Sequence, residues 1–172
     1  MGFNKVLLPL DGSELAELAI RRATEVANPG ARIHLLSVVD PNCLDDMAVR
    51  ELAGLNATNF DKVDRLLEAA TEVSDQEAAD VYMRQRYLMQ QAEQLIGQGF
   101  KATVQIIGGY AATSISAVAC EGFDVIVMAT HGRSGLTKVF LGSVTQEMLH
   151  NLPCPILIVP AHILQPSSRK HA

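Results

Sequence analysis

The residues best suited to chemistry lie between Thr130 and Ser143. The run Thr130-His131-Gly132-Arg133-Ser134-Gly135 follows an apolar, largely β-branched stretch, Val125-Ile126-Val127-Met128. Gly132 and Gly135 free the backbone for positive φ, which lets N–H groups approach a ligand closely. Gly142-Ser143 follows at the expected head of a helix. Helix N-termini leave N–H groups unpaired and carry partial positive charge. A glycine loop that leads to such a terminus suits a phosphate, and the Ser143 hydroxyl adds a donor. Arg133 and Lys138 bring positive charge to the same stretch. The loop is neither a Walker P-loop, for want of GKS or GKT, nor a GxGxxG turn. A glycine pair also serves a plain βα connection, so the elements around it decide the reading.

Those elements alternate. Lys5–Leu10 (KVLLPL) reads as a buried strand ended by Asp11-Gly12-Ser13, with Ser13 as N-cap of a helix over Glu14–Ala27. Its apolar face is Ala16, Ala19, Ile20, Ala23, Val26 and Ala27, and Pro29-Gly30 stops it. Ile33–Val39 is the second strand. A helix from the capping box Ser74-Asp75-Gln76-Glu77 runs to Gly97, with Val81, Leu88, Ala92, Leu95 and Ile96 inward. Ala102–Ile107 is the third strand, and Ala112–Glu121 a helix with Ile115, Val118 and Ala119 inward. The Val125 strand is the fourth. A helix from Gly142-Ser143, with Val144, Met148 and Leu149 apolar, ends at Pro153, and Pro155–Val159 (PILIV) is the fifth strand. Strands alternating with helices predict an α/β fold, an open doubly wound parallel sheet. Ligands in such sheets bind at the strand carboxyl ends where the strand order reverses. The first and fourth strands carry the polar loops, so Asp11 and the Gly132 loop are expected to face one another across a crevice.

Between the second strand and the long helix lies an acidic helical insertion, residues 41–75, with short helices expected around 44–54 and 60–73. Residues 41–80 hold ten acidic and three basic residues, a net −7 against −5 for the whole chain, which marks a solvated helical insertion, or a lid or partner surface emerging at the ligand-binding end of the sheet. Residues 1–160 form one domain on this reading, and 161–172, with Pro166, two serines and Arg169-Lys170, a disordered tail. The acidic balance argues against nucleic-acid binding through a basic face. No apolar run is long enough to cross a membrane, and the first residues lack the regions of a signal peptide. With three scattered cysteines, Cys43, Cys120 and Cys154, and no CxxC, a cytoplasmic protein with reduced thiols is expected. No two histidines stand at metal-ligand spacing, and there are no paired catalytic carboxylates or nucleophile elbow.

Three stretches, KVLLPLDGSE, HLLSVVD and the 36-residue DVIVMATHGRSGLTKVFLGSVTQEMLHNLPCPILIV, resemble the universal stress proteins, and the likeness covers nearly all of the chain. The resemblance implies strand order 3-2-1-4-5 and, in the nucleotide-binding branch, an ATP crevice. That branch carries Gly, two residues, Gly, nine residues, Gly, then Ser or Thr. Gly132, Gly142 and Ser143 match it, and Ala129 stands where the first glycine belongs. Carried over by position, Pro9, Leu10 and Asp11 lie beside base and ribose, Val38 near the adenine, and Met128 and Ala129 on the sugar side. Gly132, Arg133, Gly142, Ser143 and Val144 surround the phosphates. The implied ligand is ATP, ADP or AMP, with Mg²⁺ as a companion ion. Gly109-Tyr110-Ala111 replaces the family's Gly-x-Pro. The resemblance also implies a homodimer paired through Pro155, Ile156, Leu157, Ile158 and Val159.

Three functions stay open at this point: a nucleotide-binding stress-response regulator, an interaction module of the same fold that binds no nucleotide, and a slow ATPase. The last needs a positioned base, for which Asp11 and His131 are the candidates.

Overall fold

The structure, a computed structural model, describes residues 2–40, 76–130 and 141–160. The expected short helices around 44–54 and 60–73, Ser74 of the capping box, the loop with His131, Gly132, Arg133 and Lys138, and the tail 161–172 lie outside the described residues. So do the side chains of Ala16 and Glu77. Five strands and four helices are described: β1 (Phe3–Pro9), α1 (Glu14–Val26), β2 (Ala27–Val39), α2 (Gln76–Gly97), β3 (Lys101–Gly108), α3 (Ala111–Ala119), β4 (Val125–Thr130), α4 (Ser143–Met148) and β5 (Ile156–Pro160). The strands form one parallel sheet in the order β3-β2-β1-β4-β5.

The apolar runs are strands because both sheet faces are covered. Alternate residues of β1 feed two cores: Val6 and Leu8 pack with α1 and α2, while Leu7 packs with α3 and α4. In β4, Val125 and Val127 join the first core, Ile126 and Met128 the second. Helix α2 buries Val81, Gln85, Leu88, Ala92 and Leu95, a stripe of helical period. That phase turns position 96 outward, so Ile96 is 46% exposed, contrary to the expectation that it lines the core. Leu149 is likewise exposed, because α4 ends at Met148 and only Thr145 and Met148 of that helix are buried.

The α1–β2 junction also differs from expectation. The helix ends at Val26 and β2 begins at Ala27, with no loop between. Pairing starts at Phe3↔Ala27, then jumps to Lys5↔Arg32. Pro29-Gly30 is therefore the bulge that absorbs the shift, with Gly30 at φ +73, rather than the stop of the helix. Asn28 fastens the bulge: its Nδ2 donates to the Gly2 carbonyl at 2.9 Å and to Asn4 Oδ1 at 2.8 Å.

The amino-terminal pole of the sheet is closed by Asp124. Its Oδ2 accepts from the Asn4 and Lys5 amides, each at 2.8 Å, and its own N–H donates to the Lys5 carbonyl at 2.8 Å. Lys5 Nζ lies 4.4 Å from the Phe123 ring centre and donates to the Glu121 carbonyl. Beside them His34 bridges to β3, with Nδ1 2.7 Å from Thr103 Oγ1 and Nε2 3.0 Å from Gln105 Oε1. With Gln105 Oε1 accepting from Nε2–H, Nδ1 accepts the Thr103 hydroxyl proton, so both ring nitrogens are satisfied in the neutral imidazole.

Burial lowers the His34 pKa below its ordinary 6.5, and the Lys5 charge adds to this, against the opposing pull of Gln105 and Glu121. The unfolded chain then binds a proton at His34 more readily than the folded one does. Its contribution to stability is complete above the unfolded value and is lost as pH falls through 6.5 toward the folded pKa. Thermal unfolding followed between about pH 7 and pH 5 should show a falling midpoint, and His34→Gln should flatten that slope.

Candidate functional site

The β1–β4 contact is the shortest in the sheet. Only Val6↔Val125 and Leu7↔Ile126 are in register. The outer ladders run on: β1 stays paired to β2 through Pro9↔Leu36, and Leu10 N–H donates to the Leu36 carbonyl at 2.8 Å. On the other side β4 stays paired to β5 through Thr130↔Pro160. Backbone groups alternate sides along a strand, so Leu10 facing β2 turns Pro9 toward β4. The next β1–β4 bond needs an N–H at position 9, and proline has none. The ladder stops there, each strand stays with its outer neighbour, and a cleft opens between their carboxyl ends.

The cleft has a volume of about 250 Å³, just below the range of small-molecule sites, roughly 300–1,000 Å³. Pro9, Leu10 and Asp11 line it from the end of β1, Val38 from β2, and Met128 and Ala129 from β4. Gly142, Ser143 and Val144 line it from the start of α4. The described residues of the sequence-derived site are thus brought together; Gly132 and Arg133 lie outside the described residues. Sequence reasoning missed Thr145 and the walls from α3, Ala111 and Ile115, and took Thr130 as the first residue of the loop, whereas it is the buried last residue of β4. The signal for Ile115 was its inward phase on α3, which faces the core and the cleft together. A larger groove of about 390 Å³ lies between α3 and α4 beside Cys120, away from the strand ends. Position at the switch point favours the smaller cleft.

Polarity is graded across the site. Leu10, Leu36 and Met128 are buried at the floor, Val38 and Ala129 half-buried, and Asp11, Gly142 and Ser143 exposed at the rim. Asp11 shapes its own turn. Its Oδ1 accepts the Ser13 amide at 3.0 Å, and Gly12 takes φ +80 between them. Ser13 occupies the N-cap position of α1 and makes no side-chain capping bond; its own amide donates to Asp11. Arg84 of α2 reaches the same turn: Nη1 donates to the Asp11 carbonyl at 3.3 Å and to Ser37 Oγ at 3.4 Å, while Nε pairs with Asp80 Oδ2 at 2.9 Å.

Two hydroxyls, Tyr87 and Thr130, are buried with no hydrogen-bond partner among the described residues. Such a group costs about 1–3 kcal/mol of desolvation. Burial raises the Tyr87 pKa, and the negative charges of Glu17 and Asp11 raise it further, so the phenol stays protonated. Burial likewise raises the Cys154 thiol, with Cys120 and Asp124 adding to it. Cys120 and Cys154 are free thiols, and Cys43 lies outside the described residues. Among the described residues no group of three His, Cys, Asp or Glu side chains is placed to hold a metal, and no helix is long and apolar enough to cross a membrane.

The family model for the universal stress protein family matches residues 2–160. Universal stress protein MJ0577 of Methanocaldococcus jannaschii is 28% identical over 163 residues, covering 91% of this chain and 94% of that protein. A solved structure of protein MJ0577 superposes with TM-score 0.59 at 25% identity, over 93% of this chain and 97% of the other. The universal stress protein UspA of Lactobacillus plantarum shares the fold at TM-score 0.63 and 20% identity, over 92% and 99% of the two chains. So does a universal stress protein solved in complex with cAMP, at TM-score 0.51 and 17% identity, over 93% and 98%.

Ala129, which takes the first glycine's place in the motif, lies within β4 in register with Val159, and no non-glycine residue described has positive φ. The backbone there is ordinary strand and does not require glycine. Ala129→Gly should therefore lower stability by about 0.5–1 kcal/mol in urea unfolding. A position that needed glycine's conformations would gain stability instead.

Proposed function

The chain belongs to the universal stress protein family, and from that premise we propose that it binds an adenine nucleotide in the β1–β4 cleft and acts as a homodimeric stress-response regulator. The observation that carries the reading is convergence. Every described residue of the nucleotide-binding pattern lines one cleft, at the point where strand order reverses. The neighbour solved with cAMP, though only 17% identical, supports adenine nucleotides as the ligand class to test first.

Each wall has a task in this reading. Val38 offers an apolar surface for the base, and Pro9 and Leu10 close the side beneath it. Asp11 is an acceptor for base or ribose donors. Met128 and Ala129 bound the sugar. The first amides of α4 and the Ser143 hydroxyl are donors for phosphate oxygens, joined by Gly132 and Arg133 of the loop pattern. Mg²⁺ would arrive with the phosphates and keep most of its waters, since Asp11 is the one carboxylate among the described lining residues. That carboxylate already orders its own turn, which suits a sensor better than a general base.

The dimer reading rests on β5. It lies at the sheet edge, and Pro155 C=O accepts from Ile126 N–H, so alternation points the backbones of Ile156 and Ile158 outward. Pro160 also faces out and lacks an N–H, which limits the outward ladder to those two donors. Unless paired, this short apolar edge is exposed to aggregation.

Isothermal titration with ATP and Mg²⁺, then ADP and AMP, should give saturable binding near one site per chain. A Cβ at Gly142 meets nothing within 4 Å, so Gly142→Val should fold normally yet weaken binding by about tenfold or more by obstructing the α4 amides. The absence of any saturable heat at millimolar nucleotide would remove the nucleotide reading. For the dimer, Ile158→Pro removes an outward donor without touching the β4 ladder. Sedimentation should show a monomer with native circular dichroism, whereas an intact dimer would place the interface elsewhere.

A further inference from the structure

Of the two buried hydroxyls without a partner among the described residues, Thr130 alone lines the cleft. It is the last described residue before the glycine loop, only 2% exposed, and paired through its backbone to Pro160. Along a strand, side chains two apart share a face, which puts Thr130 on the side of Met128, over α3 and α4. Ile115 and Thr145, from those two helices, also line the cleft.

A buried hydroxyl without a partner weakens the free protein unless another state satisfies it. A threonine needs only one staggered step of χ1 to exchange its hydroxyl and methyl positions, and an unpaired hydroxyl breaks no bond in turning. Resting on the nucleotide reading above, we infer that Thr130 is a ligand-binding residue whose hydroxyl pairs with a ribose or phosphoryl oxygen of the bound nucleotide. The site then holds a side-chain donor at the end of β4 in addition to the backbone amides at the start of α4.

The inference reverses the usual sign of a polar-to-apolar substitution. Thr130→Val keeps the shape and the β-branched preference for strand but deletes the hydroxyl. In the ligand-free protein it should leave the thermal midpoint unchanged or raise it. Titration with ATP and Mg²⁺ should show affinity lowered about tenfold, the loss of one hydrogen bond, while Thr130→Ser stays within about threefold of the parent. A parallel titration with adenosine identifies the partner atom: a matching loss assigns a ribose oxygen, and a loss confined to ATP assigns a phosphoryl oxygen. If the parent binds ATP and Thr130→Val binds it equally well, the inference fails and the nucleotide reading stands. A lowered midpoint in ligand-free Thr130→Val with unaltered affinity also overturns it, since the hydroxyl would then have a structural partner. If the parent binds neither ATP nor adenosine, both readings fall together.

Discussion

The feature on which the rest depends is the unequal bonding of the two central strands. Strands β1 and β4 are held firmly at one pole, where the Asp124 carboxylate gathers the Asn4 and Lys5 amides. They are in register for two pairs and then part at Pro9. A parallel sheet offers ligands a crevice wherever neighbouring connections leave in opposite directions. Here topology supplies the place, and an imino acid at one position supplies the opening. Everything the cleft presents, from the Asp11 turn to the start of α4, follows from strands that remain bonded outward while separating inward.

This arrangement also sorts chemistry by depth. Side chains pointing into the two cores leave apolar groups at the cleft floor, and strand and helix ends leave backbone polar groups at its rim. The Asp11 turn is braced from behind by Arg84, a residue of the helix that follows the acidic segment. Arg84 thereby links the Asp11 turn to the helix that follows residues 41–75 in the sequence.

Much of the fold was legible in the sequence because parallel strands buried on both faces appear as unbroken apolar runs, and KVLLPL, HLLSVV, VIVM and PILIV are such runs. Helix phase was less legible. The pattern around Leu95-Ile96 is apolar on either side of the true stripe, and only packing against β3 chooses between them. The early start of β2 was hidden because Ala27-Asn28-Pro29-Gly30 has turn chemistry, and a bulge uses the same residues as a turn. Strand adjacency is a non-local property that local periodicity does not contain; it came through the family resemblance. Within the site, Asp11 and Gly142-Ser143 were visible as residues with polar groups at element ends. Thr130 was not singled out, because an unpaired hydroxyl is a property of its surroundings and leaves no mark on the residue type.

Hydrogen-bonded strands are held about 4.7–4.9 Å apart by the bonds themselves. Beyond Leu7 and Ile126 that gauge is absent, and the gap between β1 and β4 is bridged by side-chain packing, with Ala19 and Ala23 of α1 in one core cluster with Leu8 and Val127. The two alanines are fully buried and are not among the residues that line the cleft. They act as shims. The separation of the two strands there depends on the volume of side chains packed behind them, so a methyl group added to that helix is felt across the sheet at the mouth of the cleft.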